Sequence, residues 1–264
     1  MTSAAEPAAG PPGRHAGAWH EAVGFSSPAE LAARIAPRLA QATAAGDPVL
    51  AVLAADTRSA LEDELGERAA GVQFQDPLLV HALPAFTVAV RWARTNRRII
   101  RPRGRATVVG QRLEDLPGCG PEYWARLDIA LDVATAQLPV TVLCPFPTQR
   151  PQALVRATHP NVGTADGIDS GEGYRPPHEA VVDYPPPPPP DLGRPIAHRP
   201  FDIRTLVELR STVTAVARAA GLDPEEVADL VLAVNELASN SIEHGIGAGA
   251  LRMWRGAAGV AAEV

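Results

Sequence analysis

Lysine is absent from this chain, so all 24 cationic side chains are arginine. That absence excludes a Walker-type phosphate loop, which needs the lysine ammonium, and lysine Schiff-base chemistry, which needs its free amine. Cysteine is scarce. Cys119 and Cys144 have no metal-ligand spacing between them, and Cys144 falls in the apolar run "VTVLCPF". A buried, reduced thiol is expected there rather than a ligand or nucleophile. Aromatic residues make up only 5% of the chain, so alanine supplies much of the 46% hydrophobic content. No apolar run reaches the roughly 18 residues that a membrane helix requires, and no signal-peptide pattern is present. A cytoplasmic protein with no membrane partner is the expectation. The net charge of −6 argues against a general nucleic-acid binder.

One basic stretch runs against that balance. Residues 91–105, "RWARTNRRIIRPRGR", hold seven arginines. They read as the solvated face of a helix running into a loop, with an anion or partner site as the alternative. The first 14 residues, "MTSAAEPAAGPPGR", are small and Pro-rich and are expected to be a disordered tail. Residues 161–199 are dense in Gly and Pro. Their six consecutive prolines, Pro185 to Pro190, favour an extended polyproline spacer, so this segment is expected to be a linker.

Between tail and linker, helical and strand patterns alternate. Ser27-Pro28 opens a helix that contains Pro37 and ends near Gly46. "DPVLAVLAA" follows as a fully buried strand, then helix "TRSALEDELG" and strand "AAGVQFQD". A third helix, "PLLVHALPAFTVAVRWARTN", carries Pro84 inside it; strand "RATVVG", helix "PEYWARLDIALDVATAQ" and strand "LPVTVLCPF" complete the series. Short apolar runs separated by helices predict a mostly parallel sheet covered on both faces, an α/β domain over residues 15–160. Its chemistry is sparse. His20-Glu21 could face a ligand or belong to ordinary strand-end structure, and His81 and Asp76 are equally open.

The order "WHEAVGFSSPAELAARIAPRLAQATAAGDPVLAVLAADTRSALEDELGERAAGVQFQD", closing near "TVLCPFPTQRPQALVRATHP", resembles the MEDS sensory domain of bacterial regulators. The pieces that carry the likeness are His20-Glu21 ahead of the first helix, "AGDPVLAVL" as the first strand and "VLCPF" as the last. The resemblance implies a RecA-like sheet without a working phosphate loop, an unidentified small ligand, and His20 and Glu21 as sensory candidates. Where that family usually carries a His-Glu pair in the fourth helix, this chain reads "YWARLDIALDVA".

After the linker, residues 201–221 pattern as a helix, with Leu206, Leu209, Val213, Val216 and Ala220 on one face and Gly221 as terminator. The next helix opens with Asp223 as N-cap, Pro224 in its first position and Glu226 three residues on. Val227, Leu230, Val231, Val234, Leu237 and Ala238 form its expected core stripe. Glu236, Asn240 and His244 recur every four residues, so they line one polar ridge beside that stripe.

"NELASNSIEHG", residues 235–245, resembles the N box of the GHKL ATPases in the version typical of anti-sigma factor serine kinases. The resemblance covers residues 200–264 and implies an α+β ATPase segment that binds ATP and magnesium. It implies that Glu236 activates the attacking hydroxyl and that Asn240 coordinates magnesium, with Ser239 and His244 in the nucleotide-binding set. The chemistry suits the residues: a carboxylate can accept a hydroxyl proton, and an amide oxygen is a hard magnesium ligand. In the family, "ALRMWRGAAGVAAEV" becomes a β-hairpin, followed by aspartate and glycine boxes. This sequence stops at Val264, so the expectation is a fragment or a decayed ATPase, with weak ATP binding and no kinase activity. A signalling regulator follows, with a sigma factor and an anti-sigma factor antagonist as suspected partners and a homodimer as a possible assembly. The alternatives are a non-catalytic sensory or interaction module and a fragment of a sensor histidine kinase-like protein.

Overall fold

The computed structural model describes residues 17–100, 104–113, 115–149, 152–164, 167–188, 191–256 and 259–264. The expected N-terminal tail, residues 1–14, lies outside them. The chain divides into two compact units, with the boundary between Pro186 and Pro187.

The first unit is an α/β sheet domain. Its strands are β1 (Trp19–Phe25), β2 (Val49–Val52), β3 (Val72–Gln75), β4 (Ala106–Gly110), β5 (Val140–Pro147), β6 (Asn161–Gly163) and β7 (Ile168–Ser170). They form one sheet in the order β3-β2-β4-β5-β1-β6-β7. Every pairing is parallel except β6 with β7. The helices are α1 (Pro28–Ala44), α2 (Ala55–Leu65), α3 (Pro77–His81), α4 (Ala85–Ile99), α5 (Pro121–Thr135), α6 (Gln152–Thr158) and α7 (Pro177–Asp183). α1 and α2 cover one face, packing Leu31, Ile35, Leu39 and Leu61 against Val49, Ala51, Val109 and Leu143. α4 and α5 cover the other, packing Trp92, Trp124, Leu127 and Leu131 against Leu50, Val108, Val140 and Val142. Alternate residues of the same strands thus feed opposite cores, which is why the strands read as continuous apolar runs.

Local chemistry sets the helix boundaries. Ser27 caps α1 by accepting from the Glu30 amide, and Gly46 turns the chain at φ 71° just beyond its end. Asp76 caps α3 by accepting from the Leu78 amide at 2.8 Å. Three expectations are corrected. The third helix is two helices, because Pro84 ends the first stretch and stands as the N-cap residue of α4. "DPVLAVL", expected as the first strand, is the second, because "WHEAVGF" ahead of the first helix is itself a strand that pairs with β5 and β6. Residues 161–183 are not linker: β6 joins the sheet beside β1, and α7 buries Ala180.

The basic stretch behaves as a solvated face where it is described. Arg91, Arg94, Arg97 and Arg98 are exposed on α4, while Arg105 donates to the Gly17 carbonyl at 3.0 Å. Arg101 and Arg103 lie outside the described residues.

The second unit is α+β. β8 (Ala197–Asp202), β9 (Ala248–Gly256) and β10 (Gly259–Glu263) form an antiparallel sheet in the order β10-β9-β8. α8 (Leu206–Ala219) and α9 (Pro224–His244) pack on it through Phe201, Leu209, Val213, Val234, Ala238, Leu251 and Met253. The capping box on α9 is complete: Asp223 accepts from the Glu225 and Glu226 amides, and Glu226 accepts from the Asp223 amide. The patterned helix begins later than expected, because Phe201 and Asp202 belong to β8. Leu237, placed in the core stripe from its spacing, is 51% exposed.

Candidate functional site

In the second unit, α9 presents Glu236, Asn240 and His244 as an exposed ridge, with Ser239 half-buried beside it. The opposite face of the same turns carries Val234 and Ala238 into the core, so packing fixes the ridge in rotation. Arg210 of α8 donates to the Asn235 side chain at 2.7 Å and ties the two helices where the ridge begins. Gly245 closes α9. A Cβ there would run into the Ser241 carbonyl, a backbone atom that cannot step aside. The ridge can therefore offer a carboxylate, an amide oxygen and an imidazole to one exposed ligand.

In the first unit, His20 and Glu21 do not act as a pair. They are neighbours on β1, so the pleat sends them to opposite faces of the sheet. Glu21 turns toward α1 and is 1% exposed. It accepts from Arg38 Nη1 and from Trp19 Nε1, both at 2.8 Å. Gly163 of β6 leaves room for it, since a Cβ there would lie 3.0 Å from Glu21 Oε1.

His20 turns toward α5 and enters a buried polar cluster. Its Nδ1 lies 2.6 Å from Asp132 Oδ1, and its Nε2 lies 3.2 Å from Cys144 Sγ on β5. Tyr174 donates to the other oxygen of Asp132 at 3.0 Å. His159, in the turn between α6 and β6, packs its ring 4.5 Å from that of His20 and places Nδ1 2.9 Å from the Val155 carbonyl. Arg112, on the loop after β4, donates through Nη2 to Asp128 and stands 3.1 Å from His159 Nε2. Thr158 donates to the remaining oxygen of Asp128 at 3.2 Å.

Burial and charge set the protonation of this cluster. Burial alone would depress the His20 imidazole, but Asp132 and Cys144 outweigh it and lift the pKa to about 10. Burial would raise the Cys144 thiol, but His20 and Arg112 together bring it below its ordinary value. His159 is held well below the ordinary range by burial and by the positive charges of His20 and Arg112, so it is neutral.

Sequence reasoning missed most of this set. Cys144 is buried and free as expected, yet it contacts His20. Asp128 and Asp132 were visible as an acidic i,i+4 pair among the apolar residues Leu127, Ile129, Ala130, Leu131 and Val133 of the helix. They stand in the fourth long helix, where the resembled family would carry His and Glu. His159 and Arg112 lie in loops and gave no periodic signal.

His81 lies elsewhere, boxed by Trp92, Tyr123 and Trp124, with Nδ1 3.0 Å from the Tyr123 hydroxyl. Near it, a cavity of about 400 Å³ opens beside α3 and α4, lined by Leu50, Gln75, Asp76, Leu83, Arg91 and Trp92 among others. Neither His20 nor Glu21 lines it.

Residues 200–264 match the family model of the histidine kinase-like ATPase domain. No curated protein matches the chain. The match spans the whole of α8, α9, β9 and β10 and the end of β8 from Pro200, and so includes the ridge.

Proposed function

We propose that the chain is a bacterial, cytoplasmic signalling regulator. In this reading the second unit is a protein serine kinase segment of the anti-sigma factor type, and the first unit is its MEDS-like sensor. The observation that carries it is the exposed Glu236–Asn240–His244 ridge on a helix with a complete N-terminal capping box, within the residues that match an ATPase family model.

ATP and magnesium fit the residues present. Magnesium keeps much of its water and takes one or two protein oxygens together with phosphate oxygens, and Asn240 offers a single exposed amide oxygen for that purpose. When bound, the metal would neutralise charge on the phosphates. Glu236, one turn before Asn240, is exposed and can take the proton from a serine hydroxyl on an antagonist protein. His244 and Ser239 flank Asn240 and would complete the polar rim. A sigma factor would be the second partner.

The cavity beside α3 and α4 supports the sensor reading. Its volume falls within the range of small-ligand sites, and its wall mixes apolar surface with Gln75, Asp76 and Arg91.

The test uses the protein as its gene encodes it. Asn240→Ala should weaken magnesium-dependent ATP binding by about 10-fold or more, read by calorimetry. Glu236→Ala should bind ATP nearly as wild type but lose phosphotransfer by roughly 100-fold or more. Unchanged ATP affinity in Asn240→Ala would overturn the assignment of the ridge.

A further inference from the structure

We propose that His20, Asp128, Cys144 and His159 form a closed binding site for a zinc-class divalent cation in the core of the first unit. One donor atom from each lies within 4.8 Å of every other. Two pairs are already closer: His20 Nε2 to Cys144 Sγ at 3.2 Å and His159 Nε2 to Asp128 Oδ1 at 3.6 Å. Tetrahedral zinc, with bonds of about 2.0–2.3 Å, sets its donors roughly 3.3–3.7 Å apart.

The outer partners strengthen this assignment. Ligating histidines hand the ring nitrogen away from the metal to a carboxylate or a backbone carbonyl, which fixes the tautomer and aims the other nitrogen. Both arrangements occur here. Asp132 takes His20 Nδ1, and the Val155 carbonyl takes His159 Nδ1, so both Nε2 atoms turn to the same point. Thr158 holds the spare oxygen of Asp128, and Oδ1 on the inward side accepts from the Arg112 guanidinium.

The donor set selects the ion. A thiolate and two imidazoles favour zinc and related transition metals over magnesium or calcium, which prefer oxygen alone. Burial selects the role. His20, Asp128, Cys144 and His159 are each no more than 3% exposed, and the adjoining void holds about 10 Å³. Such a space has no place for a substrate, so the site is structural or sensory rather than catalytic. Its ligands come from β1, α5, β5 and the turn before β6, and a bound ion would crosslink segments from residue 20 to residue 159. Arg112 supplies the positive charge there, through the one Nη2 that meets both Asp128 Oδ1 and His159 Nε2, so metal uptake would have to displace its guanidinium from both donor atoms. The inference concerns the sheet domain alone and holds or fails whatever the ridge on α9 binds.

Cobalt substitution tests it on the untagged full chain, after treatment with a chelator. Titration with Co²⁺ should produce a thiolate-to-cobalt charge-transfer band and the ligand-field bands of four-coordinate cobalt. The bands should saturate at one ion per chain and disappear on adding Zn²⁺. Cys144→Ser should abolish the charge-transfer band, and Cys119→Ser should leave it unchanged. Asp132→Asn, which alters the partner of His20 without removing a proposed ligand, should weaken cobalt affinity roughly 10- to 100-fold. The wild-type titration decides the matter even if Cys144→Ser fails to fold. No charge-transfer band in the wild-type chain, or a band lost in Cys119→Ser, would overturn the proposal.

Discussion

Two buried ionisable residues show how far a single side chain reaches into the stability of this protein. Glu21 is enclosed on all sides, and the half-buried Arg38 is its charged partner. Removing that partner leaves a carboxylate in the core with, among the described residues, the Trp19 indole as its remaining hydrogen-bond donor. Arg38→Met should therefore cost about 3 kcal/mol in denaturant unfolding, and the double variant Glu21→Gln/Arg38→Met should recover part of it. A loss below about 0.5 kcal/mol, typical of a surface pair, would show that Glu21 reaches water. His81 acts through pH. Burial, with a smaller contribution from the Arg112 charge, lowers its pKa from 6.5 to about 4. A depressed folded-state pKa gives stability that is complete above the unfolded value and lost as protons bind the unfolded chain. Stability should thus fall between about pH 6.5 and pH 4, by up to about 3 kcal/mol. His81→Phe should flatten that window in urea titrations; an unaltered slope would assign it to other groups.

At the scale of elements, caps and close contacts fix where helices sit. Asp223 carries both reciprocal bonds of the box that starts α9. Asp223→Ala should destabilise the second unit by about 1 kcal/mol and increase amide exchange in the first turn of α9 without altering its last turn. Equal exchange throughout the helix would mean that the cap does not set its start. On the sheet domain, β4 approaches α4 so closely that a Cβ at Gly110 would lie 2.7 Å from the Trp92 ring. Trp92 is itself 4% exposed and packed among α5 and β4 residues. Gly110→Ala should cost about 1–3 kcal/mol through overpacking. Thermal melting combined with tryptophan fluorescence would detect both the loss and the displaced ring.

For the whole molecule, the connection between the two units is shorter than composition suggests. Gly and Pro density extends from residue 161, but β6, β7 and α7 bring residues 161–183 into the first unit. Brief digestion with a protease of broad specificity should cut between about residues 184 and 196 and spare the segment from β6 to α7. Mass spectrometry of the fragments would show this directly. Cleavage concentrated at residues 161–183 would return that segment to the linker.

Sequence by itself determined what local physics controls. The alternation of buried runs and amphipathic helices determined an α/β sheet domain, because each element's period depends only on its own backbone geometry. The Asp223 cap, the Gly221 terminator and the ridge of Glu236, Asn240 and His244 were legible for the same reason: their partners lie within a turn or two of the helix. Tertiary structure decided the rest. Only the order of strands puts β1 between β5 and β6, and so brings His20 to Cys144, 124 residues away. Only the pleat separates His20 from Glu21, and only the packing of α9 leaves Leu237 half exposed. The buried cluster drew its members from two strands, a helix and two loops. No period links such residues, because contacts across a fold depend on how elements pack and not on how far apart they stand in the chain.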